Sequence, residues 1–196
     1  MVTTIYFVRH ATSDHTNRDE RTRGLTEKGL QDCKLVTEYL QDKDIDFLFS
    51  SPYHRSVLTI QDFANKSNLD IQCIEDFRER KVDSGWIENF EEFARKQWSN
   101  FTYKLNDGEP LCEVQKRNIH ALQKLLIDYK DKTFVIGTHG TALSTIINYY
   151  QPTFQFDDFW NIVDVMPWIV KMTFDDDICL SIESINLFTH KNDTLK

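Results

Sequence analysis

Thr3-Thr4-Ile5-Tyr6-Phe7-Val8-Arg9-His10 is the stretch from which the rest of this chain is read. Thr3 to Val8 are all β-branched or aromatic, the composition of a pleated, largely buried strand, and the run stops abruptly at Arg-His. Arg9 and His10 therefore fall at a strand's carboxyl end, the rim where open α/β sheets bind their ligands. An arginine there offers a fixed fork of donors suited to phosphate or carboxylate. An adjacent histidine can serve as base, acid or nucleophile near neutral pH. A chance dipeptide in a loop is the bland alternative, and the remainder of the chain has to decide.

The 196 residues fit one domain, 1–196, with a substantial core. Apolar residues make up 40% and Phe alone numbers 14, whereas 6 Gly and 4 Pro are too few for a disordered or fibrous chain. A net charge of -8 argues against nucleic acid or an anionic membrane as a partner held on a broad basic face. Cys33, Cys73, Cys112 and Cys179 are widely spaced and read as thiols of a reducing compartment. Met1 to Val8 has no basic n-region and is too short for a membrane span, so the expected location is cytoplasmic. A homodimer stays open.

Downstream, strand and helix patterns alternate. Thr26 reads as the N-cap of a helix with Leu30, Cys33, Val36 and Leu40 on its apolar face, ending near Gln41. Ile45 to Phe49 is a short strand stopped by Ser50-Ser51-Pro52, and Arg55 falls in the first turn of the helix after it. Ile71 to Ile74 is a third strand leading into Phe77-Arg78-Glu79. Residues 82–108, with Trp86, Phe90, Phe93, Trp98, Phe101 and Tyr103 among acids, read as an excursion with one short helix near 90–99, placed where selectivity resides. Leu111 to Tyr129 is a long amphipathic helix, Thr133 to Thr138 a strand, and His139 follows it directly, with a helix from Ala142 to Tyr150. Phe154 to Ile162 reads as a short helix. Trp168–Phe174 and Ile178–Ile182 form a hairpin turning at Asp175-Asp176-Asp177, and the tail from Phe188 is expected to fray.

This alternation predicts a three-layer α/β/α sandwich around a mainly parallel sheet, with every βα loop on one side. Four loops then bring Arg9-His10, Arg55, Glu79 and His139 to one rim. Those groups can move a phosphoryl group without a metal. His10 supplies a nitrogen nucleophile, and Arg9, Arg55 and protonated His139 hold the equatorial oxygens. Glu79 protonates the leaving oxygen.

The chain resembles the histidine phosphatase superfamily, in its phosphoglycerate-mutase-like branch. The likeness rests on Val8-Arg9-His10-Ala11, Leu25-Thr26-Glu27-Lys28-Gly29, Ser50-Ser51-Pro52-Tyr53-His54-Arg55-Ser56, Phe77-Arg78-Glu79 and Gly137-Thr138-His139-Gly140. It implies a phosphohistidine at His10, a phosphate pocket of Arg9, Arg55 and His139 beside Gly140, a proton donor at Glu79, and no cofactor. It also implies a phosphate-contacting asparagine, which matches either Thr16 or Asn17. Ala11, Thr141 and Arg23-Gly24 depart from the pattern, standing where glycine, glycine and proline are usual.

The leading reading is a metal-independent phosphomonoesterase acting on a small phosphorylated metabolite. A cofactor-dependent phosphoglycerate mutase is the runner-up, although mutases generally carry longer inserts over the site. A non-catalytic phospho-ligand binder is third, and a zinc site of His10, His54 and His139 is weaker, for want of a carboxylate at metal-ligand spacing. Arg21, Arg23, Arg78, Arg80 and Lys81 flank the site in sequence. They read first as solvated charges and second as recognisers of a further anionic group, Arg23 foremost.

Overall fold

The computed structural model describes residues 2–85, 87–189 and 191–195. Strand β1 (Thr3–Arg9) lies near the middle of a seven-stranded sheet. Both its faces are covered, which explains its uninterrupted apolar run. Ile5 and Phe7 point into one core together with Phe49, Phe134, Ile136 and Trp168; Tyr6 and Val8 point into the other with Leu48, Val135 and Ile169. The period-two alternation of each strand thus sorts one apolar sequence into two layers.

The other strands are β2 (Phe47–Ser50), β3 (Ile71–Cys73), β4 (Thr133–Thr138), β5 (Trp168–Asp175), β6 (Ile178–Asn186) and β7 (Lys191–Thr194). Their spatial order is β3-β2-β4-β1-β5-β6-β7. The first four are mutually parallel and the last three antiparallel. Helices α1 (Glu27–Leu40) and α2 (His54–Ser67) cover one face, through Val36, Leu40, Ile60 and Phe63. Helices α3 (Phe90–Ser99), α4 (Leu111–Asp128), α5 (Gly140–Tyr150) and α6 (Phe156–Asn161) cover the other, through Trp98, Leu122, Leu143 and Phe159.

The α/β/α sandwich read from the sequence is therefore the observed fold, with small shifts of boundary. Ile45 and Asp46 precede β2, and α5 begins at Gly140 rather than Ala142. The tail departs from expectation. Lys191–Thr194 pairs antiparallel with Glu183–Asn186, so the sheet edge orders a segment with little strand propensity of its own. His190 and Lys196 lie outside the described residues, as does Trp86 of the excursion.

Connections from β1 and β2 run toward β3 over one face, whereas those from β3 and β4 return over the other. The winding of the connections therefore reverses between β1 and β4, parallel neighbours whose register pairs Arg9 with Thr138. The amide of His10 continues the ladder onto Thr138 O at 3.0 Å. This is the topological switch point, where the carboxyl ends of adjacent strands leave a crevice.

Candidate active site

A cavity of about 660 Å³ opens at that crevice. Arg9, His10, Arg23, Arg55, Glu79 and Gly140 line it, so six of the nine residues expected at the site meet in one wall.

His10 is buried at the end of β1. Its Nδ1 lies 2.7 Å from the carbonyl of Ala11. A carbonyl only accepts, so Nδ1 carries the proton and donates, leaving the lone pair of the neutral ring on Nε2. Burial, then the charges of Arg55 and Arg9, push the imidazole well below its usual pKa of 6.5 and keep it neutral. The Ala11 amide is in turn tied to Thr59 Oγ1 at 3.0 Å. The loop after His10 packs tightly on α1: a Cβ on Gly29 would meet Thr12 O at 2.3 Å.

His139 is fully buried and is not itself in the cavity wall. Its ring stands edge-on to that of His10, with centroids 5.2 Å apart, and Nε2 lies 2.7 Å from Ser51 Oγ. Burial, then Arg55, push its pKa well below 6.5 as well. The protonated His139 expected from the sequence is thus corrected: burial and the charges of Arg55, Arg117 and Arg9 favour the neutral ring.

Arg9 is held by the segment after α6: Nη1 donates to Ile162 O at 2.5 Å and Val165 O at 3.3 Å, and Nη2 to Val163 O at 2.8 Å. Among the described residues its buried Nε has no acceptor. Burial lowers its pKa to about 10, so it remains a cation. Gly140 allows this placement, since a Cβ there would stand 3.1 Å from the guanidinium carbon.

Arg55, at the start of α2, donates to Glu20 twice: Nη1 to its carbonyl at 2.7 Å and Nη2 to Oε2 at 2.9 Å. The other carboxylate oxygen of Glu20 accepts from Arg23. Glu20 thereby bridges two buried guanidiniums inside the site. Glu79 sits at the N-terminus of α5, with Oε2 accepting from Thr141 N at 3.0 Å and Oε1 from Ala142 N at 3.2 Å. Oε1 also accepts from Arg80 N at 2.8 Å, so of the four lone pairs of the carboxylate one remains on Oε2.

Thr16 and Asn17, offered as phosphate contacts, are exposed and lie outside the cavity wall. Their polar atoms shape the loop instead. Asp14 Oδ1 accepts from both the amide and hydroxyl of Thr16, at 3.0 and 2.7 Å, and Asn17 Oδ1 accepts from Asp19 N at 2.9 Å. Arg21 pairs with Glu75 at 2.7 Å on the surface and Arg78 with Glu109 at 3.4 Å; neither lines the cavity. His54 is exposed at the start of α2, so the three histidines of the zinc reading do not converge. Among the described residues no group of three His, Cys, Asp or Glu side chains is arranged to hold a metal ion.

Three contributors were missed: Glu20, Ser51 and Arg117. Arg117 on α4 is clamped by Glu109 at 2.7 and 2.8 Å. It donates to the carbonyls of Asp76 and Arg78 at 2.6 and 2.8 Å, fixing the turn that presents Glu79. No spacing rule marks such long-range side-chain-to-backbone pairs.

A match to the model of the histidine phosphatase superfamily (branch 1) spans residues 5–179. The chain belongs to that family and is a phosphatase. It is 28% identical over 155 residues to phosphoserine phosphatase 1 of Hydrogenobacter thermophilus, covering 71% of this chain and 72% of that one. It is 28% identical over 159 residues to the probable phosphoglycerate mutase GpmB of Yersinia pestis, covering 74% and 73%. The fold superimposes on phosphoserine phosphatase of Entamoeba histolytica bound to phosphoserine, with a TM-score of 0.74 at 20% identity over 92% of this chain and 96% of that one. A further structure of that enzyme holds 3-phosphoglyceric acid.

Proposed function

We propose that the chain is a metal-independent phosphomonoesterase of small phosphorylated metabolites that works through a phosphohistidine on His10. The observation that carries this reading is the orientation of His10. Its Nδ1–H is committed to Ala11 O, so a neutral Nε2 lone pair is available beside three arginines.

Nε2 attacks phosphorus as the bond to the leaving oxygen breaks, and a proton on Glu79 Oε2 passes to that oxygen. Arg9 and Arg55 take up charge on the equatorial oxygens, Arg55 exchanging Glu20 for the phosphoryl group. His139 takes a proton from solvent as the dianion arrives, and its charge then acts on the phosphoryl group from beside His10. In the second half Glu79, now a carboxylate, takes a proton from water as water attacks phosphorus. The P–N bond breaks, the electron pair returns to Nε2, and inorganic phosphate leaves.

The whole of 1–196 acts as a single domain, and four free thiols suit a cytoplasmic setting. A mutase reading draws on the likeness to GpmB. Phosphate release from a panel of phosphomonoesters in excess EDTA, together with isomerisation of phosphoglycerates, separates the two. Release without a metal and faster than isomerisation supports the phosphatase, whereas faster isomerisation supports the mutase.

A further inference from the structure

Thr59 carries its hydroxyl in the middle of α2, where the helix itself has no use for one. It is fully buried, and the buried residues that follow it on the helix, Ile60, Phe63 and Ala64, are apolar. A mid-helix threonine that bonds back onto the preceding turn slightly weakens its helix, and valine would fill the same space with no polar atom to bury. Here the hydroxyl is used in full. Its proton goes to Arg55 O at 2.7 Å, and its oxygen accepts from Ala11 N at 3.0 Å.

Both directions are set by the partners, because an amide nitrogen only donates and a carbonyl only accepts. The same holds one step further along. His10 Nδ1–H donates to Ala11 O at 2.7 Å, so Ala11 is gripped at its amide by Thr59 and at its carbonyl by the imidazole. One line of hydrogen bonds therefore runs from the His10 ring through Ala11 and the Thr59 hydroxyl to the backbone of Arg55. The other anchors of this loop lead elsewhere: His10 N is held by Thr138 O, and Thr12 O by Thr26 N, each at 3.0 Å. Thr59 alone among these anchors ties the loop to a residue that carries a phosphate-binding guanidinium.

Building on the phosphatase reading, we infer that Thr59 is a positioning residue of the phosphoryl-transfer site. Through Ala11 its hydroxyl sets the tautomer and aim of the His10 ring, and through the carbonyl of Arg55 it fixes the spacing between nucleophile and guanidinium. It touches no reacting atom. What it supplies is alignment, on which an in-line displacement depends.

The test compares Thr59→Val, which keeps the shape and deletes both bonds, with Thr59→Ser, which keeps them. Thr59→Val is expected to lower kcat for an alkyl phosphomonoester by about 10- to 100-fold, the scale of an ångström's misplacement. Inorganic phosphate, used as a competitive inhibitor, is expected to bind nearly as before, because Arg9 and Arg55 keep their charges. Thr59→Ser is expected to recover most of the rate. Ring-nitrogen NMR at about pH 8, where a free imidazole is neutral, gives a readout that a merely structural role would not move. His10 is expected as the Nδ1–H tautomer in the wild-type chain and Thr59→Ser, and as a mixture of both tautomers in Thr59→Val. Should Thr59→Val fail to fold, Thr59→Cys, with a weaker and longer-reaching Sγ in place of Oγ1, is expected to change rate and tautomer in the same direction. A His10 ring unchanged by the substitution overturns the inference whatever the rate does. So does an equal fall in kcat and phosphate affinity, or a loss that Thr59→Ser does not recover. The spectra need no turnover, so a tautomer shift together with no phosphate release by the wild-type chain would leave Thr59 orienting His10 and remove the phosphatase reading.

Discussion

Arg55 and Arg80 are both buried in the wall of one cavity, and they are satisfied in opposite ways. Arg55 meets a carboxylate of its own chain, Glu20, whereas Arg80 meets only the amide oxygen of Gln97. The first arginine is occupied until a phosphoryl group displaces Glu20, and the second makes no direct ion pair among the described residues. Charge compensation is thus uneven: Glu20 pairs directly with Arg55, whereas Glu79 and Glu109 act on Arg80 without a hydrogen bond to its guanidinium. An anion at the first must compete with Glu20 for the guanidinium, whereas at the second no carboxylate of the described residues is bound to it.

The largest effect that sharpens this contrast is the removal of Arg55. Arg55→Met is expected to lower kcat/KM by about 10²- to 10³-fold for every phosphomonoester alike, since it deletes transition-state donors. A loss confined to carboxylate-bearing substrates would make Arg55 a specificity group and break the comparison. Next comes Glu79→Gln, expected to slow alkyl phosphates by about 10²-fold or more and activated aryl phosphates far less. Equal losses on both leaving groups would mean that Glu79 is not the acid.

The third effect is read in stability. His10 and His139 are held neutral in the folded chain, both well below 6.5, while the unfolded chain protonates them near 6.5. Below that pH the unfolded state binds more protons, so stability is full above about 6.5 and is lost as pH falls, by up to about 1.4 kcal/mol per pH unit for each histidine. Denaturant melts between pH 7.5 and 5.5 check this, and His139→Asn is expected to flatten the slope. A slope that is unchanged, or of opposite sign, would show that these imidazoles are not held neutral by the fold.

The smallest effect concerns Glu20, whose side chain is half exposed. Glu20→Gln is expected to tighten inorganic phosphate by about two- to fivefold, the scale of a partly solvated ion pair. Weaker phosphate binding would show that Glu20 orients Arg55 without competing for it, and the contrast with Arg80 would lapse.

Much of this architecture was legible because burial leaves a strong imprint on sequence. β1 and β4 are apolar on both faces, and His10 and His139 follow them directly, so the strand ends located the rim. β7 was hidden because Lys191-Asn192-Asp193-Thr194 is polar and becomes a strand only by pairing with β6. Glu20 was equally hidden, as one acid in the charged run from Ser13 to Arg23. Its role depends on how that loop folds back over α2. Thr16 and Asn17 were expected from the family resemblance alone, but their polar groups close local turns. Arg80 looked like one of five flanking charges, and only its burial between Phe90, Phe93 and Gln97 sets it apart.

The central claim is the covalent step at His10, and trapping tests it most directly. The wild-type chain, mixed with a phosphomonoester in EDTA, quenched in base and digested, is predicted to carry an acid-labile phosphate on the peptide containing His10, and His10→Ala none. Phosphate release by His10→Ala at the wild-type rate, or phosphate trapped on another residue, would contradict the account.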